Sequence, residues 1–233
     1  TFSYGINRNS DMTRAKQVAK ALGVPWLHCP SRVQQLPTLY QSSIRKAYTD
    51  YAWGAHAVPV WMDFEAIAHL QRENIMTQDS VIVNGYSGDF LFGGHIPAAL
   101  VAEPTLETLV SSIISKHCSH FEQGVFDSHQ SRIAEQIRSM FLTNHANKTK
   151  DVEVLCSFYE SWDWRERQVK AVVNGQRLYD CCGLKWLLPL WDKELVDFWA
   201  RIPLNQRAHQ KLHIAYLKKY NFRGQFSTLR APN

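Results

Sequence analysis

The residue best suited to chemistry is Asp89, a carboxylate inside a glycine-rich stretch of the chain. Four glycines lie around it within ten residues: Gly85, Gly88, Gly93 and Gly94. Glycine lets a backbone adopt positive φ and approach a ligand closely, and a carboxylate can bind Mg²⁺. By spacing alone, a glycine-rich turn with a capping aspartate is the simpler interpretation, because isolated glycine patterns carry little information.

A short buried strand is predicted directly before this stretch, because the three β-branched residues Val81–Val83 follow Asp79-Ser80. In open α/β sheets, ligands bind beyond the carboxyl ends of parallel strands. Backbone N–H groups of such a loop can face phosphate oxygens, while the carboxylate of Asp89 holds a metal ion. The position of the loop therefore favours a phosphate-binding site.

The stretch also resembles a known motif, the second nucleotide loop of the asparagine synthetase family. The family pattern is Ser-Gly-Glu-Gly-Ala-Asp-Glu-Leu-Phe-Gly-Gly-Tyr, and residues 84–95 align with it without a gap. Both glutamates of the pattern are replaced here, by Tyr86 and Phe90, and its final tyrosine is His95. Six positions match the pattern: Gly85, Asp89, Leu91, Phe92, Gly93 and Gly94.

The N-terminal residues predict a strand, a helix and a second strand. A strand is predicted at Phe2–Gly5 and the next strand at 26–29. Between them a helix is predicted, which Asn9-Ser10-Asp11 caps at its start and Gly23 ends. A connection through one helix implies a right-handed crossover between parallel strands. This unit resembles the Ser-Phe-x-Val-Gly strand and the Asp-x-x-x-Ala-x-x-Val-Ala-x-x-Leu-Gly helix of the same family.

The remaining chain predicts helices, and beyond about residue 105 it predicts no further strand. Helices are expected at 42–52, 60–72 and 165–179, and N-caps at Thr105, Ser128, Asp151 and Asp192. Residues 183–193 resemble the family segment Gly-Leu-Glu-x-Arg-x-Pro-Phe-Leu-Asp-Lys. Lys185 and Leu187 stand where that segment has its Glu and Arg.

The three resemblances together imply an α/β fold. We expect a parallel-sheet, adenine nucleotide alpha hydrolase-like (PP-loop) layer followed by an all-helical half. In this interpretation 1–103 is a partial α/β PP-loop ATPase region, and 104–233 is the helical region of the same synthetase domain. The family's first phosphate loop, Ser-Gly-Gly-x-Asp-Ser, lies before the Phe2 strand. A longer parent chain would supply that segment and a glutaminase domain, and residues 1–233 alone are expected to be inactive.

The resemblance also implies cofactors and site residues. In the family, ATP adenylates a substrate carboxylate, and ammonia from glutamine then displaces AMP. ATP and Mg²⁺ are therefore the expected cofactors. By resemblance, Asp89 binds Mg²⁺ and pyrophosphate and is catalytic, as is Tyr86. The expected nucleotide-binding residues are Tyr4 and Gly5 at the adenine, Asn84 and Gly85 at the ribose, and Ser87 and Gly88 in the loop.

The function that follows is an ATP-dependent amidotransferase or ligase whose carboxylate substrate is not simple aspartate. Four family positions differ near the presumed pocket, at Tyr86, Phe90, Lys185 and Leu187. Whether the parent is an enzyme stays open, because loss of both loop glutamates also suits a non-catalytic interaction module. A PP-loop enzyme that modifies tRNA is a further alternative, but the sequence shows no basic appendage for nucleic acid.

Composition is that of an ordinary globular protein, with 45% hydrophobic and 20% charged residues. The net charge of +5 fits a phosphate-bearing small molecule better than nucleic acid, because the basic residues are scattered. The five cysteines include no C-x-x-C pair, which is typical of a reducing compartment. We therefore expect a cytoplasmic protein that has no membrane partner.

Overall fold

The computed structural model describes residues 1–6, 9–31, 34, 36–53, 59–119 and 121–227. These residues form a mixed α/β structure that is mostly helical and contains short parallel sheets. They divide into two compact units. The first unit comprises Thr1–Tyr86, Lys170–Pro189 and the described residues 217–227; the second comprises Ser87–Val169 and Leu190–Tyr216. The predicted division of the chain at residue 103 stays a prediction.

The first sheet of the first unit is the predicted strand–helix–strand unit. Strand β1 (Phe2–Gly5) pairs in parallel with β2 (Leu27–Pro30), and helix α1 (Ser10–Leu22) connects them. The side chain of Asn9 caps α1 by accepting the N–H of Asp11 over 2.6 Å. Gly23 ends the helix with φ 73°, a conformation that glycine adopts without steric cost. The parallel connection predicted from sequence is therefore confirmed.

The second sheet of the first unit corrects the sequence prediction. Strand β3 (Val81–Val83) forms as expected, but it pairs in parallel with β4 (Lys185–Leu187), in the part of the chain predicted to be all-helical. The prediction was wrong because β4 is short and has no β-branched residue, so its pairing with β3 decides its conformation. The more specific PP-loop arrangement of strands stays a prediction.

The helices of the first unit enclose a small core. Helix α3 (Ser43–Ala52) begins after its N-cap Ser42, whose Oγ accepts the N–H of Arg45 over 3.2 Å. Helix α4 begins at Phe64, four residues later than predicted. The core residues between these helices and the sheets are apolar or aromatic: Tyr48, Ala52, Phe64, Ile67, Ile82, Leu178, Tyr179 and Leu184. The helices themselves are α2 (Leu36–Tyr40), α3 (Ser43–Ala52), α4 (Phe64–Arg72) and α10 (Arg177–Cys181).

The second unit is helical within the described residues and has its own apolar core. Predicted N-caps are confirmed at Thr105, Asp151 and Asp192, whose side chains accept backbone N–H groups of the first turn. The predicted start at Ser128 was wrong, because this residue lies inside helix α8 (Gln123–His145), which begins five residues earlier. The helices that lie within this unit are α5 (Gly88–Leu91), α6 (Ala98–Ala102), α7 (Leu106–His117), α8 (Gln123–His145), α9 (Val152–Asp163), α11 (Lys193–Ala200) and α12 (Leu204–Arg207). Helix α13 (Lys211–Tyr220) follows.

The segment predicted as one helix at 165–179 consists of three successive types of helix. Trp164–Val173 forms a π-helix, Asn174–Gln176 a 3₁₀ turn, and α10 completes it. The π-helix is rare and mostly limited to single turns inside α-helices, so a π-helix of this length is unusual. Separately, no helix among the described residues combines the length and the apolarity that crossing a membrane requires.

Candidate functional site

In the first unit, the chain after β3 makes a tight polar turn. The N–H of Asn84 donates to the carbonyl oxygen of Leu187 over 3.0 Å, which extends the β3–β4 ladder by one bond. The side-chain oxygen of Asn84 then accepts the N–H of Tyr86 over 2.9 Å, an Asx turn. Apart from its two chain neighbours, no heavy atom of the described residues lies within 4 Å of the point where a side chain of Gly85 would begin. The turn therefore leaves its backbone open to a ligand at Gly85.

A buried carboxylate, Asp63, accepts hydrogen bonds from three tyrosine hydroxyls in the same unit. Tyr4 and Tyr86 both donate to Asp63 Oδ1, the latter over 3.2 Å, and Tyr179 donates to Oδ2. The amide of Asn84 donates to the hydroxyl of Tyr179 over 3.1 Å. A buried carboxylate needs such donors, because an unpaired charge away from water is costly. Asp63, which the sequence analysis did not single out, is thus the centre of this cluster.

The cluster fixes the protonation state of its tyrosines. Burial, followed by the negative charge of Asp63, raises the pKa of Tyr86 to about 12. Burial also raises the pKa of Tyr4 and of Tyr179, with Asp63 adding to the shift in both. All three hydroxyls therefore stay protonated near neutral pH. In this arrangement Tyr86, predicted as catalytic, is a hydrogen-bond donor and is not a base.

A cavity of about 580 Å³ lies in this unit beside β1 and β3. Its walls are apolar along the strands, with Phe2 and Val81–Val83, and polar at the carboxyl end of β3. The polar groups there are Tyr4, Asp63, Asn84, Gly85, Tyr86 and Tyr179. Its size lies within the usual range for small-molecule sites. Four predicted nucleotide-binding or catalytic residues, Tyr4, Asn84, Gly85 and Tyr86, thus share one cavity.

In the second unit, Asp89 lies on the short helix α5 and is 65% exposed. Its Oδ1 accepts the N–H of Phe90 over 2.9 Å, and its Oδ2 accepts Nε2 of His95 over 2.8 Å. The hydrogen bond from His95, with a smaller contribution from Arg167, lowers the pKa of Asp89 to about 2. Asp89 is therefore an ionised carboxylate that faces solvent and is held at both oxygens.

His95 lies between Asp89 and a second carboxylate, Asp163, which is fully buried. Nδ1 of His95 is 2.6 Å from Asp163 Oδ2, and Nζ of Lys116 is 3.2 Å from the same oxygen. Burial opposes the charged form of His95, but its bonds to both carboxylates outweigh burial and raise its pKa. Burial opposes the charged form of Asp163 as well, but its contacts with His95 and Lys116 hold its pKa below the ordinary value. These residues form one continuous ionic network.

Ser87 and Gly88, both predicted to bind the cofactor, are packed inside the second unit. The hydroxyl of Ser87 donates to Gln168 Oε1 over 2.8 Å and accepts Nε1 of Trp191 over 3.1 Å. A Cβ on Gly88 would stand 2.9 Å from a methyl carbon of Leu190. The side chain of Ser87 thus supports the loop internally, and the cofactor role of both residues stays a prediction.

The residues present fit a nucleotide and Mg²⁺. No cluster of three or more His, Cys, Asp or Glu side chains suited to a metal occurs in the part of the chain described. In nucleotide sites Mg²⁺ is bound by one or two carboxylates together with phosphates and water. The exposed carboxylate of Asp89 has lone pairs left for such an ion. The open backbone at Gly85 can accommodate the nucleotide.

The chain is an α/β protein in which a parallel strand leads into a glycine-rich loop that carries an exposed carboxylate. The chain belongs to the asparagine synthase family, whose model matches residues 1–226. No curated protein and no solved structure matches the chain. Family membership supports an ATP-dependent function of the ligase type.

Proposed function

We propose that the chain is the synthetase part of an ATP-dependent carbon–nitrogen ligase that activates a substrate carboxylate and joins it to ammonia derived from glutamine. The observation that carries the proposal is Asp89, an exposed and ionised carboxylate on the glycine loop after β3, in a chain of this family. When bound, ATP supplies the group that activates the carboxylate, and Mg²⁺ neutralises phosphate charge.

Five of the predicted site residues have proposed roles that fit their surroundings. Asp89 binds Mg²⁺, because its carboxylate is ionised and faces solvent. Tyr4 and Gly5, at the carboxyl end of β1, line the nucleotide site together with Asn84 and Gly85. This assignment follows the general position of ligand sites in open α/β sheets.

The substrate acid is not simple aspartate in this proposal. The two positions that carry glutamate in the family loop are occupied by Tyr86, whose hydroxyl is committed to Asp63, and by Phe90, which is buried against Trp164. Neither side chain can exchange a proton with an amine or ammonia near neutral pH. Lys185 and Leu187 lie on β4 and are exposed. These differences favour another carboxylate or another nitrogen acceptor.

The parent polypeptide is proposed to contribute a strand to the first unit. Within the described residues, β1 pairs only with β2, and β3 pairs only with β4. The cavity lies along both β1 and β3, and Val81 and Val83 on β3 are 45% and 65% exposed. Parallel strands are normally covered on both faces and paired with neighbours. The cavity beside β1 and β3, called the gap below, is therefore the proposed position of one more strand. The segment that carries the first phosphate loop is the proposed occupant, with a glutaminase domain preceding it.

The proposal is tested by ATP–pyrophosphate exchange in the full-length polypeptide, with a panel of carboxylic acids that includes aspartate. We expect exchange with an acid other than aspartate, and a loss of more than about 100-fold in Asp89→Asn, because a Mg²⁺ ligand is removed. Asp79→Asn, at another exposed aspartate, is the matched control and should keep the wild-type rate.

Two outcomes would contradict the proposal. Exchange at the wild-type rate in Asp89→Asn would remove this carboxylate from the site. Absence of exchange with every acid in the full-length polypeptide would instead favour the non-catalytic interaction module.

A further inference from the structure

We propose that His95 is a positioning residue, whose Nε2 holds the Mg²⁺-binding carboxylate of Asp89 in one orientation. The inference rests on the proposed function for the role of Asp89, but the contacts that define it belong to the second unit alone. His95 stands at the last position of the glycine loop, where the related pattern has tyrosine.

An exposed aspartate ordinarily samples several side-chain rotamers, which lowers its affinity for an ion that must find both oxygens in place. Here each oxygen of Asp89 has one fixed donor: the N–H of Phe90 at Oδ1 and the imidazole of His95 at Oδ2. Each oxygen keeps a further lone pair for a ligand. The two donors thus restrict the carboxylate without blocking it.

The turn after α5 is built to bring His95 back to Asp89. Gly93 has φ 83°, and the N–H of Gly94 donates to the backbone carbonyl of Asp89 over 2.7 Å. A Cβ on Gly94 would stand 2.9 Å from that carbonyl oxygen. A residue larger than glycine would therefore widen the turn, and the imidazole of His95 would move away from Asp89.

The far side of His95 is anchored inside the unit. Asp163 is completely buried, and its Oδ2 also receives Lys116 at 3.2 Å and Gln168 Nε2 at 3.4 Å. The ring of His95 is only 11% exposed and packs against the ring of Phe90 at 5.7 Å. A carboxylate that orients a histidine, which in turn orients a functional group, is a general device for fixing metal sites.

Two substitutions of His95 distinguish a role in orienting Asp89 from a role in stabilising the fold alone. The amide nitrogen of glutamine can take the place of Nε2, so His95→Gln keeps a donor for Asp89 and loses the contact with Asp163. The amide nitrogen of asparagine can take the place of Nδ1, so His95→Asn keeps the contact with Asp163 and loses the donor for Asp89. If His95 only stabilised the fold, His95→Gln, which loses the contact with Asp163, would show the larger loss in both Asp89 order and Mg²⁺ affinity.

The first measurement needs neither nucleotide nor activity. In residues 1–233 with labelled aspartate, NMR scalar couplings report whether the side chain of Asp89 occupies one rotamer. We expect a single rotamer in the wild type and in His95→Gln, and rotamer averaging in His95→Asn. Averaging in the wild-type protein would overturn the proposal without any variant. A single rotamer in folded His95→Asn would also overturn it.

The second measurement uses ATP–pyrophosphate exchange in the full-length polypeptide with Mg²⁺ varied. His95→Asn should raise the KM for Mg²⁺ about 10- to 100-fold, the usual effect of losing an outer-shell partner, with a smaller change in kcat at saturating Mg²⁺. His95→Gln should recover most of that loss, although it is the less stable variant in thermal unfolding. Equal KM values in wild type and His95→Asn would refute positioning. Absence of exchange in every variant would count against the proposed function, while the rotamer measurement would still decide the role of His95.

Discussion

Tyr86 shows how far a single residue can be interpreted from sequence. The pattern of the glycine loop identified it as a replaced glutamate, but its hydroxyl donates to Asp63 together with those of Tyr4 and Tyr179. Tyr179 lies 116 positions from Asp63 along the chain. No local pattern predicts such a pairing, because the fold alone brings these residues together. The glycine loop was enough to single out Asp89 as a candidate site residue. Its hydrogen bond to His95, and that of His95 to Asp163, could not be predicted.

Glu160 carries a prediction for the dependence of stability on pH. Burial raises its pKa from 4.5 to about 7, although Nη1 of Arg207 lies 3.0 Å from its Oε2. The folded state therefore binds this proton more tightly than the unfolded state does. The contribution of Glu160 to the free energy of unfolding is then largest below pH 4.5 and falls by about 3 kcal/mol as pH rises to 7.

The measurement is urea unfolding at pH values from 5 to 8 for the wild type and Glu160→Gln. The difference between the two proteins isolates Glu160 from the other titrating groups, such as His95 and His117, whose pKa values are raised and lowered respectively. The wild type should lose stability relative to Glu160→Gln as pH rises. A difference that stays constant with pH would show that Glu160 is ionised throughout.

Among the elements, those with strong local signals were predicted and those that depend on distant partners were not. Helix α1 has a capping Asn9 and a terminal Gly23, and both act as the sequence indicated. Strand β4 has no comparable signal and forms where it meets β3. The π-helical winding of Trp164–Val173 was also missed. Its buried Gln168 bonds both Ser87 and Asp163, so tertiary contacts override helix propensity there.

The turn after α5 provides a prediction at the level of an element. Gly93 has φ 83°, and a Cβ there would stand 2.3 Å from the carbonyl oxygen of Arg207. Gly93→Ala should therefore lower the free energy of unfolding by about 3 kcal/mol, from backbone strain and overpacking together. Gly85→Ala is the matched control, because that position has open space and should change stability by less than about 1 kcal/mol. Urea unfolding of both variants checks this, and equal stabilities would contradict the close packing of the turn.

At the scale of the whole molecule, the sequence predicted a mixed α/β protein with parallel strands, and the structure confirms this. It did not predict that the strands of the first unit form two separate two-stranded sheets. Strand pairing depends on which segments meet in space, and a pattern of apolar residues does not encode it. The backbone directions of β1 and β3 nevertheless show where a further strand could pair.

In a parallel strand, alternate residues direct both backbone groups to the same neighbour. The carbonyls of Thr1 and Gly5 accept N–H groups of the β2 strand region, so Phe2 and Tyr4 direct theirs to the opposite edge. The N–H of Asn84 donates towards β4, so Val81 and Val83 direct theirs away from it. Both opposite edges adjoin the cavity between β1 and β3.

Amide hydrogen exchange tests whether that gap receives a strand. In residues 1–233 alone, the amides of Tyr4 and Val83 should exchange at least about tenfold faster than that of Asn84, whose N–H is bonded to Leu187 at 3.0 Å. In the full-length polypeptide the same two amides should become as protected as Asn84, because a central strand would pair with both edges. The amide of Trp186, which faces the outer edge of β4, is the matched control and should not change. Unchanged fast exchange of Tyr4 and Val83 in the full-length polypeptide would exclude a strand in this gap.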